Sequence, residues 1–304
     1  MSTMLGHTPR TRNSVSGITS AGAPLRIGAV ALTVRDLEKM ARFYRRVIGL
    51  NSIEREAGIE RLGVGETILL ELRHDPSAPL ADRRAAGLFH IAFLLPSRAD
   101  LGQWLRQTAE QRIGLQGASD HGVSEAIYLG DPEGNGIEMY TDRPSADWTW
   151  NNGAIAMKTD HLDIDDLLLS ATPARWERLP QGSIVGHVHL QVGAIAPAET
   201  FFGAVLGFDT TARVPGGSFF GSGRYHHHLA ANTWNSLNAP VRTAPTTGLA
   251  NVEIIAADPA RLAAIATRAE RGGLVVEGQP SRFSLRDPWG TSLTFFDAEA
   301  SDTA

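Results

Sequence analysis

Asp131-Pro132-Glu133-Gly134-Asn135-Gly136-Ile137-Glu138 returns 156 residues later as Asp287-Pro288-Trp289-Gly290-Thr291-Ser292-Leu293-Thr294. Working outward from this pair, two more stretches recur at nearly the same offset. Gly28-Ala29-Val30-Ala31-Leu32 matches Gly186-His187-Val188-His189-Leu190, and residues 43–50 match residues 201–208. A single long offset means a duplicated domain rather than a solenoid of short repeats. The differences between the copies carry chemistry: histidine faces alanine in one pair, and glutamate faces threonine in another.

The chain has 304 residues, a net charge of −5, ten histidines and no cysteine. That length suits two domains and a connector. Scattered Lys and Arg argue against a nucleic-acid surface. Without thiolates, any transition metal must be held by His, Asp or Glu, a ligand set suited to Fe(II), Mn(II) or Zn(II). No apolar run approaches the roughly 18 residues of a spanning helix. Residues 1–24 lack the apolar block of a secretory signal and read as a flexible arm, which leaves the cytoplasm as the expected address.

Residues 27–34 alternate as a strand. Asp36 can cap the helix that follows, residues 37–48 place Leu37, Met40, Phe43, Tyr44, Val47 and Ile48 on one face, and Gly49 ends it. Short strands follow over 51–56, 61–64 and 67–73, completing a βαβββ unit. The pattern repeats from residue 89, from 185 and from 250. In the third unit the reading puts a strand over 225–231. The predicted fold class is α+β, with four βαβββ units forming two half-open barrels. The predicted divisions are 1–24 (arm), 25–142 (N-terminal domain), 143–183 (connector) and 184–298 (C-terminal domain). The segment 142–183 holds three of the six tryptophans and a short helical stretch over 164–170, so it is expected to pack on the domains.

Repeated βαβββ units, the Asp-Pro-x-Gly-Asn-x-Ile-Glu ending and first strands bearing histidine together resemble the vicinal oxygen chelate superfamily. That superfamily includes glyoxalase I, extradiol ring-cleaving dioxygenases and fosfomycin-resistance proteins. Residues 186–190, residues 225–229 with Asn232-Thr233-Trp234, and residues 120–128 most resemble its two-domain catechol 2,3-dioxygenases. The resemblance spans about residues 25–297.

In this superfamily two units face each other around a metal, and each offers a ligand position on its first and its last strand. Those positions are Ala29 and Glu71 in unit one, His90 and Glu138 in unit two, His187 and His228 in unit three, and Asn251 and Thr294 in unit four. If each half closes on itself, the ligands are divided between two poor sites. If unit two faces unit three, His90, Glu138, His187 and the His226–His228 cluster share one pocket, leaving Ala29, Glu71, Asn251 and Thr294 in a dead one. We favour the crossed pairing, within one chain or across a swapped dimer. It yields two histidines and one carboxylate, a facial set with open coordination positions. Were His187 and Glu138 bound to one ion at roughly 2.1 Å each, their ligand atoms would lie about 3–4 Å apart. If the third unit's strand holds through the histidine triplet, His226 and His228 point together and His227 points away.

The resemblance then implies an extradiol dioxygenase. Its metal, Fe(II) first with Mn(II) or another divalent ion as alternatives, would be held by His90, His187 and Glu138. His228, His226 or His121 would serve as acid/base, with His226 or His228 instead a further ligand, and His189 would line the pocket. Tyr128 would donate a hydrogen bond to bound oxygen. The expected partners are a small aromatic diol and O2, with no nucleic acid or membrane, in a homo-oligomer engaged in aromatic catabolism. Two other readings stand beside it: a non-redox glyoxalase-like isomerase or lyase using four protein ligands, and a metal-free aromatic-binding or resistance protein.

Overall fold

The computed structural model describes residues 17–242 and 245–298. Most of the expected arm therefore lies outside the described residues. Its last part is held in place, for Ser20 is buried and its Oγ donates to the Gly186 carbonyl at 3.3 Å.

Unit one contains β1 (Leu25–Val34), α1 (Leu37–Phe43), β2 (Asn51–Glu56), β3 (Ile59–Val64) and β4 (Thr67–His74). Unit two contains β5 (Gly87–Leu94), α2 (Arg98–Glu110), β6 (Gly117–Asp120), β7 (Ser124–Gly130) and β8 (Gly136–Asp142). The connector forms a small hairpin, β9 (Trp150–Asn151) and β10 (Ala154–Ile155), and the helix α3 (Ile164–Ser170). Unit three contains β11 (Ile184–Gln191), α4 (Ile195–Glu199), β12 (Asp209–Val214), β13 (Gly217–Gly221) and β14 (Leu229–Asn232). Unit four contains β15 (Gly248–Ala256), α5 (Pro259–Arg271), β16 (Glu277–Gln279), β17 (Arg282–Arg286) and β18 (Ser292–Asp297).

The strands form two curled eight-stranded sheets. One runs β16-β17-β18-β15-β1-β4-β3-β2 and the other β12-β13-β14-β11-β5-β8-β7-β6. Each sheet is thus half one duplicate and half the other: unit one joins unit four, and unit two joins unit three. The crossed pairing forms within a single chain. At each joint two first strands run antiparallel, β1 with β15 and β5 with β11. Inside every unit the first and last strands pair in parallel. This is an α+β fold of two half-open barrels.

Local chemistry explains the helices. Asp36 accepts from the Lys39 N–H at 3.0 Å, satisfying an orphan donor at the start of α1. The apolar face continues into a wider π-helical turn, Tyr44–Ile48, and Gly49 closes it at φ 94°. Unit three repeats the device, with a π turn Thr200–Val205 after α4. One continuous apolar core gathers residues from both sheets and their helices. Within it the Trp104 indole of α2 donates to the Val47 carbonyl of unit one at 2.9 Å. None of the described helices is long and apolar enough to cross a membrane.

One predicted element differs. The strand read over 225–231 begins only at Leu229. Gly223 and Arg224 take left-handed backbone angles, φ 63° and 66°, which swing the chain out of the ladder between β13 and β14. Residues 225–228 therefore do not alternate between two faces.

Candidate metal centre

The joint between β5 and β11 builds the site. In the register, Ala92 on β5 lies between His187 on β11 and Glu138 on β8. His90, two residues before Ala92, shares its face of the strand. The side chains of His90, Glu138 and His187 converge beside Ala92. His90 Nε2 is 3.0 Å from Glu138 Oε2. His187 Nε2 is 3.3 Å from the same oxygen and 3.3 Å from His90 Nε2. All three residues are buried. Among the described residues this is the one cluster of its kind.

The electrostatics suit a cation. Burial pushes the Glu138 carboxyl up, but the attraction and hydrogen bonding of His187 and His90 outweigh it and hold the group well below the usual range. Burial takes the His187 imidazole down to about 4, against the pull of Glu138. At neutral pH His187 is thus a free imidazole beside a carboxylate, the ionisation state that a divalent metal needs in its ligands. Ligand atoms held at right angles around an ion, each about 2.1 Å away, lie about 3.0 Å from one another. Separations of 3.0 to 3.3 Å between the three atoms fit that triangle. His187 Nδ1 is buried without a partner.

A fourth position is vacated by sequence. The last-strand partner of the residue two after the ligand position is Glu71 in unit one, Glu138 in unit two and Thr294 in unit four. In unit three the same register brings Ala230 opposite His189. His228, which the alternation argument put in that place, is displaced by the loop before β14. The other half-barrel gathers the four remaining first- and last-strand positions. A cleft of about 520 Å³ is lined there by Ala29, Glu71, Asn251 and Thr294 together with charged residues. Glu71 is gripped by guanidinium groups, from Arg61 at 2.7 Å and Arg73 at 2.6 Å.

Known proteins resemble this chain in sequence and in fold. Residues 26–139 match the model of the glyoxalase/bleomycin resistance protein/dioxygenase superfamily. The chain is 39% identical over 286 residues to a catechol-2,3-dioxygenase of Bacillus subtilis (strain 168), across 91% of this chain and 99% of that protein. It belongs to the superfamily. Solved structures share the fold at low identity. Glyoxalase I from Zea mays superposes with a TM-score of 0.54 at 17% identity, covering 90% of this chain and 92% of that one. The cppA protein from Streptococcus pneumoniae TIGR4 gives a TM-score of 0.56 at 12% identity, covering 91% and 99%.

Four further groups border the triangle of His90, His187 and Glu138. Tyr128 sits directly opposite Glu138 in the β7–β8 register, and its ring lies 5.7 Å from that of His90. Its hydroxyl is 2.7 Å from His121 Nε2, while His121 Nδ1 lies 2.8 Å from the Lys158 carbonyl. A carbonyl only accepts, so His121 carries its hydrogen on Nδ1. When neutral it receives the Tyr128 proton at Nε2. In this arrangement Tyr128 donates to His121, while its hydroxyl also borders the Glu138 carboxylate. His189 is buried with its ring 5.0 Å from His90. Asn232 Oδ1 accepts from the Trp234 N–H at 3.2 Å, which turns its Nδ2 toward His189 Nε2 at 3.0 Å. His189 is therefore held neutral with its hydrogen on Nδ1.

The histidine triplet is arranged otherwise than a strand would place it. His227, assigned by alternation to the far face, lies tilted against His187 with ring centres 4.1 Å apart. His226 points to Asp142, its Nε2 2.9 Å from Oδ1. His228 turns away to the Ser222 N–H, at 3.3 Å from its Nδ1, and toward the Ser20 carbonyl. Burial holds it neutral, down to about 3. Sequence reasoning missed His227, Asn232 and Asp142 at the site. The triplet was a visible signal, but picking its site-facing member needed the backbone angles at Gly223 and Arg224.

Proposed function

We propose that the chain is an extradiol dioxygenase in which His90, His187 and Glu138 hold a divalent metal, Fe(II) first, and open a catechol-type ring with O2. The observation that carries the reading is the three-ligand triangle with alanine, Ala230, at the fourth position. A glyoxalase-like isomerase would draw four ligands from the same strands. Three ligands leave positions free for two vicinal hydroxyls and O2. When bound, the metal would favour the deprotonated diol and pass electron density to oxygen. The ring bond next to the diol breaks, and both atoms of O2 enter the product, with the four electrons coming from the diol.

The chain's own residues bind, orient and move protons. His227, held neutral by burial and set against His187, is the base that takes a proton from the second substrate hydroxyl and later returns it. It takes the place that His226 or His228 held in the expectation from sequence. Tyr128, positioned by His121, and His189, positioned by Asn232, flank the open face and limit how the diol can sit. Burial of Glu138 keeps bulk water from the carboxylate.

The test is aerobic turnover of catechol by protein reconstituted anaerobically with ferrous iron and ascorbate. Ring opening with one O2 consumed per diol is the expected result. Turnover of a glyoxalase-type substrate with Zn or Ni in the absence of O2, and none of catechol with iron, would replace this reading by the isomerase.

A further inference from the structure

We infer that Asp142 and His226 are positioning residues: a hydrogen-bonded chain from Asp142 through His226 determines which nitrogen of His227 carries its hydrogen, leaving Nε2 as the acceptor. The inference deepens the proposed function and rests on it for the role of His227.

Glu138, Tyr140 and Asp142 alternate along β8 and share one face. Asp142 Oδ1 accepts from the Tyr225 hydroxyl at 3.1 Å and from His226 Nε2 at 2.9 Å. Tyr225, having given its proton to the carboxylate, receives the Tyr140 hydroxyl at 2.9 Å. A carboxylate has no proton to give, so His226 carries its hydrogen on Nε2. The Nδ1 of a neutral His226 is then an acceptor. His227 Nδ1 lies 2.8 Å from it and donates when His226 holds a single hydrogen. His227 is left with its lone pair on Nε2, the nitrogen that faces away from this contact with His226.

The chain is also braced against rotation. His226 is buried, with the Tyr225 ring 4.1 Å and the Trp148 ring 5.2 Å from its own. His227 is fixed between His187 and Phe219, whose ring centre is 5.0 Å away. Trp148 belongs to the connector, and its indole donates to the Arg143 carbonyl at 3.0 Å, so the connector takes part in holding the base. A carboxylate that fixes an imidazole's tautomer and orientation sustains general-base chemistry without touching substrate. Here a second imidazole stands between the two.

The experiment reads the tautomers directly, in the metal-free full-length chain labelled with 15N-histidine. Two-bond proton–nitrogen correlations should show His226 protonated at Nε2 and His227 at Nδ1. Asp142→Asn, nearly isosteric, and His226→Phe, of similar volume, cut the chain at successive links. In both, His227 should lose its single-tautomer signature. With iron restored, both should keep metal content and KM within about twofold and lose about 10²-fold in kcat. The double variant should be no worse than His226→Phe, since both changes break one chain. A wild-type His227 protonated at Nε2 overturns the inference. So does an unchanged His227 tautomer in Asp142→Asn, or an unchanged kcat once the tautomer is lost. If His226→Phe does not fold, Asp142→Asn decides alone. If the wild type opens no catechol, the proposed function fails, and the tautomer measurement still decides the chain.

Discussion

Gly186 immediately precedes His187, and replacing it with alanine tests how the site is packed. A Cβ at this position would overlap the Tyr140 hydroxyl and lie 2.8 Å from the ring carbon that bears it and 3.0 Å from Leu94 Cβ. Tyr140 is fully buried, its ring 4.9 Å from His187, so it has nowhere to retreat without disturbing the imidazole. Overpacking of this kind costs about 1–3 kcal/mol. Losing the Tyr140–Tyr225 hydrogen bond adds about 1 kcal/mol. Alanine in a strand returns roughly 0.5–1 kcal/mol over glycine. The expected net loss is about 2–3 kcal/mol in urea unfolding, with weaker metal retention. Gly28 holds the matching place in the other sheet. There the nearest neighbours are the Glu253 side chain at 3.0 Å and that of Ile255 at 3.3 Å, so Gly28→Ala should cost less than about 1 kcal/mol. Tyr140→Phe removes the overlapped oxygen. The double variant Gly186→Ala/Tyr140→Phe should therefore be more stable than the sum of the singles by about 1 kcal/mol. Strict additivity, or a Gly186→Ala protein within about 0.5 kcal/mol of the parent, would refute the packing argument.

Two other outcomes follow from the geometry. Glu138→Ala and His187→Ala should each abolish metal retention after desalting, whereas Glu71→Ala should retain it, as metal analysis per chain would show; the reverse pattern would move the site to the other half-barrel. The metal-free protein should lose stability in acid through its buried neutral histidines. His228 has a folded value of about 3 against roughly 6.5 in the unfolded chain, so its contribution is complete above 6.5 and disappears as pH falls toward 3. Urea melts between pH 6 and 4.5 should show a slope about 1.4 kcal/mol per pH unit shallower in His228→Gln. An unchanged slope would mean that His228 is protonated in the folded state.

The architecture was legible because a duplication gives each half as a control for the other. Comparing copies showed which ligand positions had been lost, and only crossing the units brought the surviving His90, Glu138 and His187 together. α3 falls where the apolar spacing put it. Alternation failed between β13 and β14, since a period of two holds only while a strand stays in its ladder, and Gly223 and Arg224 take the chain out of it. That loop decides that His227 rather than His228 meets His187. Asp142 was invisible for another reason. Its role depends on Tyr225 and His226, more than eighty residues away, and no local pattern ties them together.

The two half-barrels solve one electrostatic problem in two ways. Each carries a glutamate at the same register position of a unit's last strand, Glu71 on β4 and Glu138 on β8. A carboxylate there is costly unless a positive charge compensates it. Glu71 has two guanidinium groups within hydrogen-bonding distance. Glu138 is more deeply buried, and among the described residues its ion-pair partners are imidazoles alone, with no lysine or arginine. The counterpart of Arg61 across from the glutamate is Tyr128, which brings a hydroxyl and no charge. One copy thus supplies its own cation. The other keeps an anion, two imidazoles and a vacated fourth corner, where a divalent cation would supply the positive charge that no arginine or lysine provides.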